Sequence, residues 1–467
     1  MLPLSYESAL AQMYALGHEL AATPAHKFDL AHMRVLLAAL GHPEKKLECV
    51  LIAGTNGKGS TAATLASILE ASGLKTGLYT SPHLVRINER IRVTGEPIQD
   101  DDFALLHDVV DRTAERLVSE SELPWHPSFF EMLTAIAFEY FARLRPDVVV
   151  LEVGMGGRLD ATNVVEPRLS VITDVSLDHQ KYLGSTVGAI AREKAGIIRP
   201  GGVVVTLPQM PEANDVIGNA ILDLDARAVS AVPFVPPVSP GSAEFWENAK
   251  RHFTAEDAEF AEKTLGTPRS RYPLQVMGQQ IMVESPLIGR HQLRNIALAI
   301  AAAVELQDQG FAQITPKAIE RGIRATRWPG RFQVLPAKSG GPEYVLDVAH
   351  NPAGAWALRS TLSAAYEDRP VTMVFGVMRD KAVSEVAEIL FPIAERVVLT
   401  QANNPRSATA AEIRQAASRV EVDIREASDV TSALADARRI VVPGGVVVVT
   451  GSIYIVGEAM QALGACI

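Results

Sequence analysis

The stretch 51–72 (LIAGTNGKGSTAATLASILEAS) is the sequence feature that most constrains the fold. The apolar run 49–53 predicts a buried strand, and a glycine-rich turn separates it from an Ala- and Leu-rich segment with helical spacing. A strand, a Gly-rich turn and a helix N-terminus form an anion cradle, because free N–H groups point inward and glycines let the backbone approach phosphate. We therefore predict a nucleotide-phosphate site made by Gly54, Thr55, Asn56, Gly57, Lys58, Gly59 and Ser60.

The cradle departs from the usual G-x-x-x-x-G-K-[ST] pattern. Gly59 separates Lys58 from Ser60, and Gly54 lies only three residues before Gly57. The flanking strand and helix still favour a phosphate-binding loop over a glycine-rich loop of no function.

Composition limits the class of protein. The chain has 467 residues and a formal charge of −10, which argues against a general nucleic-acid binder. Its two cysteines, Cys49 and Cys466, are far apart, so no disulfide framework is expected and a reducing compartment is favoured. No signal peptide and no run of 18 apolar residues is evident, so we expect a soluble cytoplasmic protein without a membrane partner.

Strands that alternate with helices predict an α/β fold with its chemistry at the carboxyl ends of parallel strands. Amphipathic helices are expected at 5–22 and 28–41, and the alternation lapses at about 207–286, where 273–285 resembles a small hairpin. A second series begins after Trp328-Pro329-Gly330. We expect an N-terminal P-loop-type parallel-sheet ATPase domain over 1–326, with a helical N-terminus and that insertion, and a smaller C-terminal Rossmann-like α/β domain over 327–467.

Four polar side chains lie where predicted strands end, namely Ser81, Glu152, His179 and Lys194. A hydroxyl, a carboxylate and an imidazole can complete a magnesium shell with phosphate oxygens and water. Ser81 could instead be a turn residue, His179 could form a loop-capping pair with Asp178, and Lys194 could be a solvated helix lysine. Glu152 ends a strongly apolar strand, where an unpaired carboxylate is costly, so we favour a functional role for it.

These motifs, taken in order, resemble folylpolyglutamate synthase, in particular the bifunctional dihydrofolate synthase/folylpolyglutamate synthase branch of the Mur ligase superfamily. The resemblance covers nearly the whole chain. It rests on GTNGKGS (54–60), TSPHL (80–84), EVGMGGRLDATNVV (152–165), SLDHQKYLG (176–184), REKAGIIRPG (192–201), GRHQLRN (289–295), RWPGR (327–331), LDVAHNP (346–352) and VVTGSIYIVGEA (448–459). Gly59 is that family's own variant of the phosphate loop.

The resemblance implies roles for individual residues. One magnesium would bind Ser81 and Glu152, and a second Glu152 and His179. Lys194 would be carbamylated and anionic near the second metal.

The nucleotide contacts implied by the resemblance are divided between the two domains. Asn295 would contact the adenine, Arg331 the phosphates and Asp347 the ribose, with His350 close by. The site would then be complete only on domain closure, which excludes water from a labile intermediate.

The resemblance also implies the reaction. ATP would phosphorylate a carboxylate, and the amino group of L-glutamate would attack the acyl phosphate, with Lys58, Lys194, His179 and Arg331 as catalytic residues. The acceptors would be dihydropteroate and reduced folates, and the protein would act as a monomer. A Mur-type ligase for cell-wall precursors and a non-catalytic nucleotide-binding protein are the alternatives.

The acceptor site is the least determined part. Phe129 and Phe130 could stack on a pterin ring or could be core aromatics. Arg86, Arg90 and Arg92 could meet substrate carboxylates or could form a solvated basic face.

Overall fold

The computed structural model describes residues 4–17, 29–237, 269–337 and 340–465. Cys466, part of the first predicted helix and part of the predicted insertion lie outside these residues. By its internal contacts the chain divides into two compact units. The first comprises Met1–Phe234 and Asn295–Gly322, and the second comprises Val235–Arg294 and Ile323–Ile467.

The elements up to residue 230 belong to the first unit. In chain order they are α1 (Tyr6–Ala15), α2 (Leu30–Ala39), β1 (Cys49–Ala53), α3 (Lys58–Ala71), β2 (Thr76–Tyr79), β3 (Ile91–Val93), β4 (Glu96–Pro97), α4 (Asp100–Ser119), α5 (Phe129–Leu144), β5 (Val148–Glu152), β6 (Leu169–Ile172), α6 (Gln180–Leu183), α7 (Val187–Ala195), β7 (Val203–Thr206), α8 (Pro211–Asp223) and β8 (Arg227–Ser230).

The remaining elements follow residue 269. They are β9 (Ser270–Val276), β10 (Gln279–Ser285), α9 (Arg290–Asp308), α10 (Pro316–Ala325), β11 (Gln333–Leu335), β12 (Glu343–Leu346), α11 (Pro352–Ala365), β13 (Val371–Phe375), α12 (Val383–Leu390), β14 (Arg396–Leu399), α13 (Ala410–Ala416), β15 (Asp423–Glu426), α14 (Val430–Ile440), β16 (Val446–Thr450) and α15 (Ile453–Leu463). None of the described helices is both long and apolar enough to cross a membrane.

The first unit is built on an eight-stranded sheet of order β4-β3-β2-β5-β1-β6-β7-β8. Strands β2, β5, β1, β6, β7 and β8 run parallel, and β3 and β4 add an antiparallel edge. Strand β1 is buried along its whole length between β5 and β6. The carboxyl ends of β2, β5, β1 and β6 are therefore neighbours at one edge, where open parallel sheets bind ligands.

The parallel alternation continues further than predicted from the sequence. Residues beyond 207 form α8 and then β8, which pairs in parallel with β7, so the predicted lapse beginning at 207 was wrong at its start. Strand β8 is a largely exposed edge strand. Its sequence RAVS lacks the apolar run by which the buried strands were recognised.

The second unit contains a six-stranded sheet of order β11-β12-β16-β13-β14-β15, in which only β11 is antiparallel. The predicted hairpin is confirmed, since β9 pairs antiparallel with β10. Met277 and Gly278 at its turn both have positive φ (50° and 76°), as the commonest two-residue hairpin turn requires. The predicted α/β class is thus confirmed in both units.

Helix α5 begins at Phe129 and ends at Leu144. Ser128 is its N-cap, and Glu131 closes a capping box with it, which satisfies two backbone donors of the first turn. The helix buries most of its apolar residues in the core of the first unit. Phe130 in its first turn packs against Gly154, two residues after the end of β5.

Candidate active site

The turn after β1 needs glycine at two positions. Gly54 has φ 155°, and a Cβ there would lie 1.8 Å from Oγ1 of Thr173. Gly57 is the N-cap of α3 with φ 90°, and a Cβ there would lie 2.1 Å from Oδ1 of Asn295. The amide of Asn295, the predicted adenine contact, therefore packs directly on the phosphate loop, and both groups belong to the first unit.

The loop is held in place by the segment that follows β6. The backbone N–H of Thr55 donates to the carbonyl of Asp174 at 2.8 Å. The Thr55 hydroxyl donates to the carbonyl of Ser176 at 2.9 Å, and Nδ2 of Asn56 donates to Oγ of Ser176 at 3.1 Å. These bonds tie the segment after β1 to the segment after β6 and so hold the turn of the cradle in place.

Two lysines converge on one backbone oxygen. Nζ of Lys58 donates to the Gly54 carbonyl at 3.0 Å and to the Thr55 carbonyl at 3.3 Å, and Nζ of Lys194 donates to the same Gly54 oxygen at 2.8 Å. Lys194 is buried, and its burial together with the neighbouring charge of Lys58 lowers its pKa to about 7. The predicted alternative of a solvated helix lysine is therefore wrong for Lys194.

Ser81 and Glu152 lie next to each other because β2 and β5 are neighbouring parallel strands. Glu152 is buried at the end of β5, and its Oε2 accepts the backbone N–H of Ser81 at 3.2 Å. A hydroxyl beside a buried carboxylate offers oxygen ligands of the kind that Mg²⁺ prefers. The donor set at these two residues therefore fits a magnesium ion.

His179 follows β6 and has a left-handed backbone, with φ 49° and ψ 35°. Its N–H donates to Oδ1 of Asp178 at 2.8 Å, whereas its Nε2 lies 3.9 Å from Oδ2 of the same residue. Within the described residues, no three His, Cys, Asp or Glu side chains form a group that could hold a metal. A metal at this edge would therefore need phosphate oxygens and water to complete its shell, as Mg²⁺ commonly does.

Asp160, in the loop that follows Glu152, was not predicted from the sequence as part of the site. It is buried, and its carboxylate accepts the Met155 N–H at 2.9 Å, the Thr162 N–H at 3.0 Å and the Thr162 hydroxyl at 2.6 Å. Burial raises its pKa despite these bonds. Asp160 thereby fixes the loop that leaves Glu152, and its only sequence signal was its place in the motif EVGMGGRLDATNVV.

The two phenylalanines at the start of α5 have different surroundings. Phe129 is a core residue that is 3% exposed and stacks on Tyr14, with ring centroids 5.9 Å apart. Phe130 is half-buried, and its ring would lie 2.5 Å from a Cβ at Gly154, directly after Val153. Phe129 is therefore a core aromatic, which was one of its two predicted roles. Of the two rings, Phe130 borders the loop that follows Glu152.

The three arginines do not share one solvated face, so that alternative was wrong as a description of the set. Arg86 is exposed and forms two bonds with Asp100, at 2.8 and 2.9 Å. Arg90 is buried, with its guanidinium 5.5 Å from the Phe129 ring centroid and Nε donating to Nδ1 of His83. Arg92 is half-buried and donates to a backbone carbonyl.

In the second unit, the structure brings Arg331, Asp347 and His350 together around the end of β12. Asp347 is buried, and its carboxylate accepts the N–H groups of Phe332 at 2.8 Å and Ala349 at 2.9 Å. Burial raises the pKa of Asp347, and the positive charge of Arg331 opposes that rise. The three residues of this unit to which the resemblance assigns nucleotide contacts therefore lie near one another.

Two family models match the chain. The Mur ligase middle domain matches residues 131–303, and the Mur ligase glutamate ligase domain matches residues 330–453. The dihydrofolate synthase/folylpolyglutamate synthase of Bacillus subtilis is 33% identical over 94% of this chain and 95% of its own. The folylpolyglutamate synthase of Lacticaseibacillus casei is 35% identical over 92% of this chain and 94% of its own.

Solved structures show the same likeness. Mycobacterium tuberculosis folylpolyglutamate synthase complexed with ADP and AMPPCP has a TM-score of 0.83 at 30% identity and covers 99% of both chains. Escherichia coli FolC in complex with DHPP and ADP has a TM-score of 0.79 at 28% identity and covers 98% of both chains.

Proposed function

The chain belongs to the folylpolyglutamate synthase/dihydrofolate synthase family of Mur ligases. We therefore propose that it is an ATP-dependent ligase. It adds L-glutamate to dihydropteroate and to the γ-carboxylate of reduced folates. The observation that carries the proposal is the meeting of a phosphate cradle, Lys58, Glu152 and Ser81 at the carboxyl ends of adjacent parallel strands. The likeness to both relatives extends over more than nine-tenths of the chain, which disfavours a protein that kept only a nucleotide cradle.

Amide formation from a carboxylate requires activation, because hydroxide is a poor leaving group. An oxygen of the acceptor carboxylate attacks the γ-phosphorus of ATP, ADP leaves, and an acyl phosphate forms. The glutamate amine then attacks the acyl carbon, loses a proton and expels inorganic phosphate as the amide forms. Lys58 neutralises phosphate charge, and the preorganised backbone N–H groups of the loop position the phosphates, which supplies most of the catalysis expected for phosphoryl transfer.

We propose that magnesium binds at this edge, one ion at Ser81 and Glu152 and a second at Glu152 and His179. Bound magnesium neutralises charge on the transferred phosphoryl group. The oxygen donors of Ser81 and Glu152 fit this ion, and phosphate oxygens and water would complete its shell.

We propose that Lys194 is carbamylated. Its amine is buried and has a pKa lowered to about 7, so a large neutral fraction exists at neutral pH. The neutral amine can attack CO₂ and release a proton, which leaves an anionic carbamate beside the positive charge of Lys58. Carbon-13 NMR of protein equilibrated with labelled bicarbonate should show one carbamate signal that Lys194→Met removes. A spectrum identical for both proteins would contradict carbamylation.

We propose that Asn295 contacts the adenine and that Arg331, Asp347 and His350 contribute to nucleotide binding from a C-terminal domain beginning near residue 327. The clustering of a guanidinium and an imidazole around buried Asp347 supports this assignment. Arg331→Ala should lower kcat more than it weakens ADP binding, because the guanidinium is assigned to the transferred phosphoryl group. Equal turnover by Arg331→Ala and wild type would remove Arg331 from the site.

A phosphate-release assay tests the proposed function as a whole. The enzyme is given ATP, magnesium and L-glutamate with dihydropteroate, with tetrahydrofolate or with no acceptor, and Lys58→Ala serves as the control. Glutamate-dependent phosphate release with at least one pterin acceptor, absent in Lys58→Ala, is the expected result. Failure with both acceptors would refute the proposal.

A further inference from the structure

His32 on α2 has both ring nitrogens facing hydrogen-bond acceptors. Nε2 lies 3.0 Å from the carbonyl oxygen of Trp125, and Nδ1 lies 3.1 Å from Oε1 of Glu131. A carbonyl oxygen can only accept, so Nε2 must carry a proton. The protonation of His32 then depends on whether Glu131 is ionised.

Glu131 is an acceptor on its other oxygen as well. Its Oε2 accepts the Ser128 N–H at 2.8 Å and the Ser128 hydroxyl at 2.6 Å, as the capping box of α5 requires. Burial raises the pKa of Glu131, but the bonds from His32 and Ser128 outweigh it and leave that pKa below its ordinary value. With Glu131 ionised, Nδ1 of His32 must also donate, so the ring is an imidazolium.

The surroundings of His32 agree with a charged ring. Burial lowers its pKa, yet the bonds to Glu131 and Trp125 and the charge of Asp29 together raise it above the ordinary value for histidine. Asp29 is the N-cap of α2, Glu131 faces the ring from α5, and the Trp125 ring stacks on it with centroids 5.6 Å apart. His32 is itself buried, so the pair is shielded from solvent.

This ion pair holds the turn that carries Phe130. Glu131 directly follows Phe130 in the first turn of α5, and the Phe130 ring contacts Gly154 in the loop after Glu152. The same ring lies 6.1 Å, centroid to centroid, from Tyr79, two residues before Ser81. A shift of the N-terminal turn of α5 would therefore move the aromatic ring that lies between the segment after β2 and the loop after Glu152.

We propose that His32, as a buried imidazolium, is a positioning residue that fixes the first turn of α5 and so sets the affinity for the pterin acceptor. This inference rests on the proposed function, because it takes the acceptor to be a pterin-bearing carboxylic acid whose pterin ring stacks on Phe130. His32 acts through Glu131 and does not itself touch substrate. The acceptor affinity should then depend on the charge of a group outside the nucleotide cradle.

His126, which follows Trp125 in the segment between α4 and α5, provides a matched control. Its ring nitrogens also face two acceptors, Oδ1 of Asp111 at 3.1 Å and the Pro127 carbonyl at 3.0 Å. Its partner Asp111 lies on α4, however, and not on the turn that carries Phe130. His126→Gln should therefore leave acceptor affinity unchanged.

The experiment combines imidazole nitrogen NMR with calorimetric titration of dihydropteroate into enzyme saturated with magnesium and a non-hydrolysable ATP analogue. In the wild type, both His32 nitrogens should be protonated at neutral pH, and acceptor binding should weaken as pH rises through the His32 pKa. His32→Gln should weaken acceptor binding about fivefold to tenfold, with nucleotide affinity unchanged.

Glu131→Gln is the decisive second variant, because glutamine preserves the capping box and removes the charge. It should lower the His32 pKa and move the weakening of acceptor binding to lower pH. Because Lys194 is common to every variant, its titration cancels in the comparison.

The outcomes separate the inference from the proposed function. A singly protonated His32 at neutral pH, or wild-type acceptor affinity in His32→Gln, would overturn the inference alone, as would equal losses in His32→Gln and His126→Gln. Failure of the wild type to bind either dihydropteroate or tetrahydrofolate would overturn the proposed function and the inference together.

Discussion

Replacing Gly57 by alanine should weaken nucleotide binding far more than the same replacement at Gly73. The two glycines stand at opposite ends of α3, and both have left-handed backbone, with φ 90° at Gly57 and 84° at Gly73. A Cβ at Gly73 would meet nothing within 4 Å, whereas a Cβ at Gly57 would lie 2.1 Å from Oδ1 and 2.8 Å from Cγ of Asn295. Both alanine variants therefore introduce backbone strain, but only the variant at Gly57 adds a steric clash.

The expected sizes follow from these contacts. Left-handed backbone costs an L-residue about 1–2 kcal/mol, which both variants should lose in the free energy of unfolding. At Gly57 the Asn295 amide must also move, and overpacking of this kind costs about 1–3 kcal/mol. If ADP binds only when the loop and Asn295 occupy their present positions, binding must restore that overpacked arrangement. The overpacking free energy then weakens ADP affinity by about 5- to 150-fold.

Isothermal titration with ADP and magnesium, alongside urea unfolding, measures both effects. Gly73→Ala should lose stability and keep wild-type ADP affinity, while Gly57→Ala should lose both. Equal ADP affinities in the two variants would refute the assignment of Gly57 and Asn295 to the nucleotide site.

Other perturbations test separate parts of the site. Lys58→Ala should abolish glutamate-dependent turnover while changing the free energy of unfolding by less than about 1 kcal/mol, and near-normal turnover would remove the cradle assignment. In protein freed of metal and of CO₂, so that Lys194 carries no carbamate, its amine is neutral in the folded state above about pH 7 but stays protonated in the unfolded chain up to about pH 10.5. The unfolded chain therefore binds the extra proton in this range, and wild-type stability should rise with pH relative to Lys194→Met. A parallel pH dependence in both proteins would contradict the lowered pKa. Gly154→Ala should displace the Phe130 ring, 2.5 Å from the new Cβ, and weaken acceptor binding without changing ADP binding, whereas Gly218→Ala, with open space around it, should change neither. An unaltered acceptor affinity in Gly154→Ala would place the acceptor elsewhere.

Local signals made parts of the fold predictable. The start of helix α5 has a local signal in the sequence, because Ser128 and Glu131 stand at capping-box spacing ahead of a long apolar stretch. Strand β1 was recognisable because all five of its residues are buried and apolar. Strand β8 was missed because an exposed edge strand carries no such pattern.

The surroundings of single side chains were less predictable. Phe129 and Phe130 are adjacent in sequence, yet one lies in the core and the other borders the loop after β5, and only the packing of α5 distinguishes them. His32 meets Trp125 and Glu131 across 93 and 99 residues, so no spacing rule pointed to it. Contacts of this range depend on tertiary structure and leave no periodic signal.

The left-handed backbone at His179 has a consequence for engineering this protein. An L-residue with φ 49° carries about 1–2 kcal/mol of strain that glycine would not, so His179→Gly should release strain and also delete the imidazole that we propose for the second metal. A search for variants with higher melting temperature would rank that replacement favourably. A screen for thermal stability at this position therefore also needs to measure magnesium-dependent activity. We expect thermal stability and metal affinity to change in opposite directions here.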